Sequence, residues 1–280
     1  MARIRVVTDS ACDLSGAMAA DLGVTIVPLS IRFGDEEFID GVSLTPTEFW
    51  AKCKASAVLP ETAAPSPGAF QEAFQSAADE GYDGVLCITL SAGVSATYQA
   101  AINAAKALDG VIPVRVIDSM TLTVALGLLV IDLAERAAAG DDLDQLEARA
   151  TEQIPHTRVL GVLDTLDHLA KGGRIGGASA LLGSLLSIKP VLTVVDGAVA
   201  EESKQRTRSR SFRYLAEQAR AASPLRRLAV AHGAASDLDD CLALLADIPT
   251  EHPVVVTDLG PVVGTHAGPG TIGVCWISVS

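Results

Sequence analysis

Short apolar runs of strand length alternate with segments of helical period through the first half of this 280-residue chain, and that alternation limits the fold more than any other feature. The expected order is strand Ile4 to Val7, helix Leu14 to Leu22, strand Thr25 to Ser30, helices Pro46 to Ser56 and Gly68 to Glu80, then strand Val85 to Thr89. It continues with helix Ser95 to Leu108, strand Val114 to Ile117 and a long helix from about Leu122 to Ala139. Strands separated by helices predict a parallel α/β domain. Three of these strands finish in similar chemistry, at Thr8-Asp9-Ser10, Thr89-Leu90-Ser91 and Asp118-Ser119. Open α/β sheets bind ligands in the crevice beyond the carboxyl ends of their strands.

A further helix, Leu143 to Gln153, leads into Ile154-Pro155-His156, where the organisation changes. The sequence is therefore expected to form two domains, residues 1–155 and residues 156–280. The second half carries apolar runs at Val159 to Leu163, Val191 to Val195, Arg227 to Ala231, Val254 to Thr257 and Val274 to Val279. Helices are expected near Ala178 to Leu186, Ser209 to Ala222 and Leu238 to Ala246. Asp196-Gly197, between Leu192 to Val195 and Val199 to Glu202, is a two-residue hairpin signal, so this second sheet is expected to be mixed.

Hydrophobic residues make up 49% of the chain and charged ones 20%, the balance of a well-buried globular protein, while aromatics at 4% leave the core to aliphatic side chains. The formal net charge of −13 opposes binding to nucleic acid or to anionic lipid surfaces. Cys12, Cys53, Cys87, Cys241 and Cys275 are scattered and odd in number, without a Cys-x-x-Cys pair, which fits a reducing cytoplasm. The amino terminus enters a strand pattern without the apolar region of a signal peptide. Met120 to Leu133 is too short to span a bilayer and contains Asp132, and Ala178 to Val195 is broken by Lys189-Pro190, so no transmembrane segment is expected.

Val85 to Tyr98 passes from an apolar run into small residues and hydroxyls where a helix begins, and unpaired N–H groups there favour an anionic guest. Ser95 is either an ordinary helix cap or, with Ser91, Thr97 and backbone N–H groups, a ligand for an oxyanion. Thr62 lies in the small-residue loop Thr62-Ala63-Ala64-Pro65, just before Ser66-Pro67, which reads as a helix start. Lys171-Gly172-Gly173-Arg174-Ile175-Gly176-Gly177 is either a solvated linker or a turn that leaves Arg174 at a crevice, where a guanidinium suits carboxylate or phosphate. The basic run Lys204 to Arg210, with Arg206 at its centre, is a solvated helix start or a landing point for an anionic group.

Near the carboxyl end, Gly268, Gly270 and Gly273 match the spacing of a dinucleotide fingerprint, but too little chain follows for a βαβ unit. His266 beside them is a structural histidine or an anion donor. Triphosphate and metal motifs are absent. One catalytic alternative is a serine hydrolase in which Gly93-Val94-Ser95-Ala96-Thr97 forms a nucleophile elbow and Asp258 and His266 complete the triad, although Thr97 would crowd the turn.

Taken together the segments resemble the DegV family of bacterial fatty-acid-binding proteins, the acyl-carrying component of fatty acid kinase. The resemblance rests on Val7-Thr8-Asp9-Ser10, Thr62 to Gly68, Leu90 to Gln99, Gly172-Gly173-Arg174-Ile175, Lys189-Pro190-Val191-Leu192 and Gly264 to Gly270, and runs almost end to end. It implies two α/β domains with one fatty acid, such as palmitate or oleate, buried between them and no further cofactor. It implies that Thr62, Ser95 and His266 hold the carboxyl group, and that Arg174 and Arg206 lie where an ATP-binding kinase subunit delivers phosphate. The protein would be a cytoplasmic carrier without catalysis of its own, holding an acyl-phosphate for phospholipid synthesis. Ala63, Ala64 and Ala96 depart from the family's usual Thr-Ser-Gln-Pro and Ser-Gly patterns, which bears on the fine hydrogen bonding of the carboxyl group.

Overall fold

The computed structural model describes residues 2–181 and 188–279. The first half forms seven strands, β1 (Ile4–Asp9), β2 (Thr25–Val27), β3 (Ser30–Phe33), β4 (Glu36–Ile39), β5 (Glu61–Ala63), β6 (Gly84–Thr89) and β7 (Val114–Asp118). Four of them make the expected all-parallel sheet in the order β2-β1-β6-β7, and the other three make a small antiparallel sheet, β4-β3-β5. The single strand expected from Thr25 to Ser30 is thus two strands in different sheets. Pro28 sits between them, and a proline cannot donate to a sheet ladder.

The second half forms β8 (Thr157–Val162), β9 (Lys189–Val195), β10 (Ala198–Gln205), β11 (Leu225–His232), β12 (Val255–Asp258) and β13 (Ile272–Ser278). Their order is β10-β9-β8-β13-β11-β12, a mixed sheet in which only β11 and β12 run parallel. The hairpin between β9 and β10 turns at Asp196-Gly197, both with positive φ, as a two-residue turn of this type requires.

The helices are α1 (Gly16–Asp21), α2 (Pro46–Ala55), α3 (Pro67–Asp79), α4 (Thr97–Ala107), α5 (Thr123–Ala139), α6 (Leu143–Gln153), α7 (Asp167–Lys171), α8 (Arg208–Ala221), α9 (Leu238–Leu245) and α10 (Pro261–Ala267). Local chemistry fixes several starts. Thr45 and Glu48 close a capping box on α2, and Ser66 accepts from the Ala69 N–H with Pro67 in the first turn of α3. The helix expected from Ala178 to Leu186 is a 3-10 turn at Gly176–Leu181 as far as it is described, and its remainder lies outside the described residues.

Helix α5 is the centre of the molecule. Every residue from 123 to 134 is buried, because the helix packs against β1 on one side and against β8, β11 and β13 on the other. One apolar core therefore runs from Ile4 through α5 to Ile277. Asp132 is buried within this helix, and the guanidinium groups of Arg149 on α6 (3.0 Å) and Arg226 on β11 (2.8 Å) bond its two oxygens. Burial pushes its pKa up, but the two arginines outweigh that and hold it below the usual carboxylate value.

Candidate functional site

A cavity of about 200 Å³ lies between the parallel sheet and the mixed sheet. Since roughly 10–15 Å³ on this scale accommodates one water-sized sphere, it has room for a run of more than about ten such spheres. Its floor is the face of the mixed sheet, with Val159, Gly161 and Leu163 from β8 and its exit, Leu192 and Val194 from β9, and Gly273 from β13. Its roof is the chain just beyond β6 and β7 (Leu90, Val94, Leu122), with Leu259, Val262 and Val263 around the start of α10. The carboxyl ends of parallel strands thus supply part of the wall, as the sequence pattern predicts.

Over most of its area the wall is apolar, even where its residues are not. Thr193 donates to the Val159 carbonyl (2.9 Å), Thr271 to the Ala267 carbonyl (2.9 Å) and Thr123 to Asp13 Oδ2 (2.6 Å), so each of these hydroxyls is satisfied by the protein. Such a lining suits a hydrocarbon rather than a polar solute.

Polar groups gather in one part of the wall, formed by Thr62, Ser95, Arg174 and His266. Thr62 is not in a loop as expected. It sits on edge strand β5, paired with Ile31, and its Oγ1 lies 2.9 Å from His266 Nε2. His266 comes from α10, a helix expected from none of the sequence patterns, although Gly260-Pro261 is a legitimate start signal. The imidazole is pushed down to about 4, first by burial and then by the charges of Arg174 and His168, and is neutral at physiological pH. Its Nδ1 has no hydrogen-bond partner among the described residues and faces the backbone of Gly172, where a Cβ would come within 2.2 Å. Glycine at 172 is therefore what allows α7 to close against the histidine.

Ser95 is not the cap of α4, since Ala96 occupies that position without a side-chain bond. The Ser95 hydroxyl instead pairs with Thr97 Oγ1 (2.8 Å) and accepts from the Thr97 N–H (3.3 Å), which fixes its oxygen at the cavity wall. Arg174 donates from Nε to the Val94 carbonyl (3.2 Å) and from a terminal nitrogen to the Gly172 carbonyl (2.7 Å). It forms no ion pair among the described residues. Ser91 is removed from the oxyanion set, because its hydroxyl donates to the Gly197 carbonyl of the β9–β10 hairpin (2.7 Å) and latches the two sheets.

Arg206 is exposed, does not line the cavity and has no ion pair among the described residues. Its neighbour Arg208 is structural, bonded to both oxygens of Asp237 (2.5 and 2.9 Å), to Asp164 (3.1 Å) and to the Gly270 carbonyl (2.5 Å). The hydrolase constellation is not assembled. His266 is bonded to Thr62, Ser95 to Thr97, and Asp258 lies 3.5 Å from His232.

Two supporting residues carry no sequence signal. Asp13, with φ of 52°, accepts from Thr123 Oγ1 and, at 3.0 Å, from the Gly260 N–H that opens α10. Burial raises its pKa to about 8 despite those bonds. His168 lies 3.2 Å, through Nδ1, from the Thr265 carbonyl and braces the same helix from the side of α7.

A family model described as "uncharacterised protein, DegV family" matches residues 3–279. A DegV domain-containing protein of Halalkalibacterium halodurans is 36% identical over 283 residues, covering 99% of both chains. Among solved structures, a DegV-family protein from Thermus thermophilus, described for its fatty acid binding, is 33% identical with a TM-score of 0.90 over 99% of this chain and 100% of that one. DegV of Bacillus subtilis, described as a fatty acid binding protein, is 29% identical with a TM-score of 0.88, each chain covered completely. A stearic acid-binding protein from Eubacterium ventriosum is 27% identical with a TM-score of 0.88, over 99% of this chain and 98% of that one. By the match along nearly its whole length, the chain belongs to the DegV family.

Proposed function

We propose that this protein binds one long-chain fatty acid, such as palmitate or oleate, between its two lobes and presents the carboxyl group to an ATP-binding fatty acid kinase. In this reading residues 1–155 and 156–280 are the lobes, the protein works in the cytoplasm without catalysis of its own, and it carries the acyl-phosphate towards phospholipid synthesis. The observation that carries the reading is the largely apolar cleft between the sheets, with Thr62, Ser95 and His266 in its wall. Fatty-acid binding by the Thermus and Bacillus relatives supports it.

Affinity comes from the tail. A buried methylene contributes about 0.8 kcal/mol, so a sixteen-carbon chain supplies on the order of 10 kcal/mol before ordering costs. The head group is oriented by the Thr62 and Ser95 hydroxyls, with the neutral imidazole of His266 holding Thr62 in place. Such donors leave a carboxylate oxygen more nucleophilic than a direct guanidinium clamp would, which suits attack on a phosphoryl group brought by the partner. Arg174, free of carboxylate partners among the described residues, and the exposed Arg206 are the cations offered to that phosphate. Native mass spectrometry of protein purified from a bacterial host tests the reading. An added mass matching a fatty acid is expected, and absence of that mass together with no uptake of added oleate or palmitate overturns it.

A further inference from the structure

The floor of the cavity has a bare stripe. On the face of the mixed sheet that meets the cavity, one row across adjacent strands reads Leu192, Gly161, Gly273, Ala231, each residue paired with the next. Two glycines side by side in the middle of a sheet weaken it, since they contribute no side-chain packing and gain the most freedom on unfolding. The usual reasons for such glycines do not apply here. Neither has a positive φ. Among the described residues neither makes room for a neighbouring element either: there a Cβ on Gly273 would meet only the Ala231 and Leu160 carbonyl oxygens of the adjoining strands, at 3.9 and 4.0 Å, and one on Gly161 only Leu163 at an ordinary 3.4 Å. The volume that two side chains would fill is left to the cavity, whose wall both residues form.

We propose that Gly161 and Gly273 are specificity-determining residues that set how long an acyl chain the cavity takes, by letting the tail lie directly on the sheet backbone. This rests on the fatty-acid reading of the same cavity. A valine at either position is compatible with strand geometry and displaces the space of about two to three methylene groups, each corresponding to roughly a fourfold change in affinity.

The test is calorimetric titration of delipidated protein with laurate, myristate, palmitate and stearate, comparing the unaltered chain with Gly161→Val and Gly273→Val, with thermal unfolding as the check on folding. The stearate-to-myristate affinity ratio is expected to fall at least tenfold in both variants, and the best-bound length to move down by two or more carbons. Gly161→Ala, which adds one methyl group, keeps the test open should the valine variants fail to fold, and is expected to lower the same ratio about threefold. An unchanged ratio in a folded variant, including an equal loss for every chain length, overturns the assignment while leaving the fatty-acid reading in place. Failure of the unaltered protein to bind any of the four acids removes that reading and the assignment with it.

Discussion

Replacing Gly172 with alanine probes whether the His266–Thr62 pair organises the polar part of the cavity. A Cβ at residue 172 would stand 2.2 Å from His266 Nδ1 and 2.8 Å from Cε1. Non-bonded heavy atoms settle about 3.5–4.0 Å apart, so the ring must retreat by more than about 1 Å. The 2.9 Å contact between Thr62 Oγ1 and His266 Nε2 does not survive such a shift as a hydrogen bond. Losing it removes about 0.5–1.5 kcal/mol and the overpacking adds about 1–3 kcal/mol, for an expected destabilisation of about 2–4 kcal/mol. Fatty-acid affinity should fall about five- to tenfold, as expected for disturbing one neutral hydrogen bond to the head group. Gly173→Ala is the control, one residue away. There φ is +69° and a Cβ meets nothing within 4 Å among the described residues, so the substitution costs about 1–2 kcal/mol through the backbone and leaves the imidazole in place. Urea unfolding, titration calorimetry and the imidazole NMR resonances of His266 read the three effects. Unchanged His266 resonances in folded Gly172→Ala, or equal losses of affinity in both variants, would refute the reasoning.

Ser95→Ala should lower fatty-acid affinity about five- to tenfold and cost only about 0.5–1.5 kcal/mol of stability; a fluorophosphonate probe should leave Ser95 of the unaltered protein unlabelled, and labelling would restore the hydrolase. Because the folded pKa of His266 is depressed from 6.5 to about 4, the unfolded chain binds more protons between those values, so its contribution to stability is intact above pH 6.5 and is lost as pH falls towards 4, by at most about 3 kcal/mol. His266→Gln should flatten this part of a denaturation-versus-pH curve, and an unchanged curve contradicts it. Burial has the opposite effect on Asp13, where the folded state holds the extra proton up to about pH 8, so stability should fall by roughly 2 kcal/mol from pH 6.5 to 8 and Asp13→Asn should remove much of that slope. Asp132→Ala leaves Arg149 and Arg226 without their shared buried partner and should cost about 3–5 kcal/mol in urea unfolding; a loss below about 1 kcal/mol would show the cluster to be dispensable.

The parallel sheet was legible because each of its strands is rich in β-branched and aliphatic residues and set off from a helical pattern, and the β9–β10 hairpin because Asp196-Gly197 can adopt positive φ. The small sheet was not. Strand β5 is three residues long, too short to show alternation, and β4 is largely exposed and polar. Helix α10 was hidden by Gly264, which reads as a loop residue yet stands in the helix because a Cβ there would meet the Trp50 and Phe49 rings at 2.8 and 2.9 Å. The residue types at the site were readable, as hydroxyls and a histidine in small-residue settings. Their mutual geometry was not: Thr62 and His266 are 204 positions apart and meet only because β5 and α10 pack together. Asp13 and His168 act through backbone groups of distant elements, a relation that no local pattern encodes.

The placement of α5 bears on how a tail gets in and out. Its buried valines, leucines and isoleucine are clasped from both sides, and each such side chain returned to water forfeits about 1.5–3 kcal/mol. Parting the sheets like a clamshell would undo several of these contacts at once, on the order of 10 kcal/mol, comparable to the whole stability of an ordinary domain. If the cavity holds a fatty acid as proposed, the tail is therefore expected to thread lengthwise past small local shifts at the rim, and its exchange should slow with each added carbon.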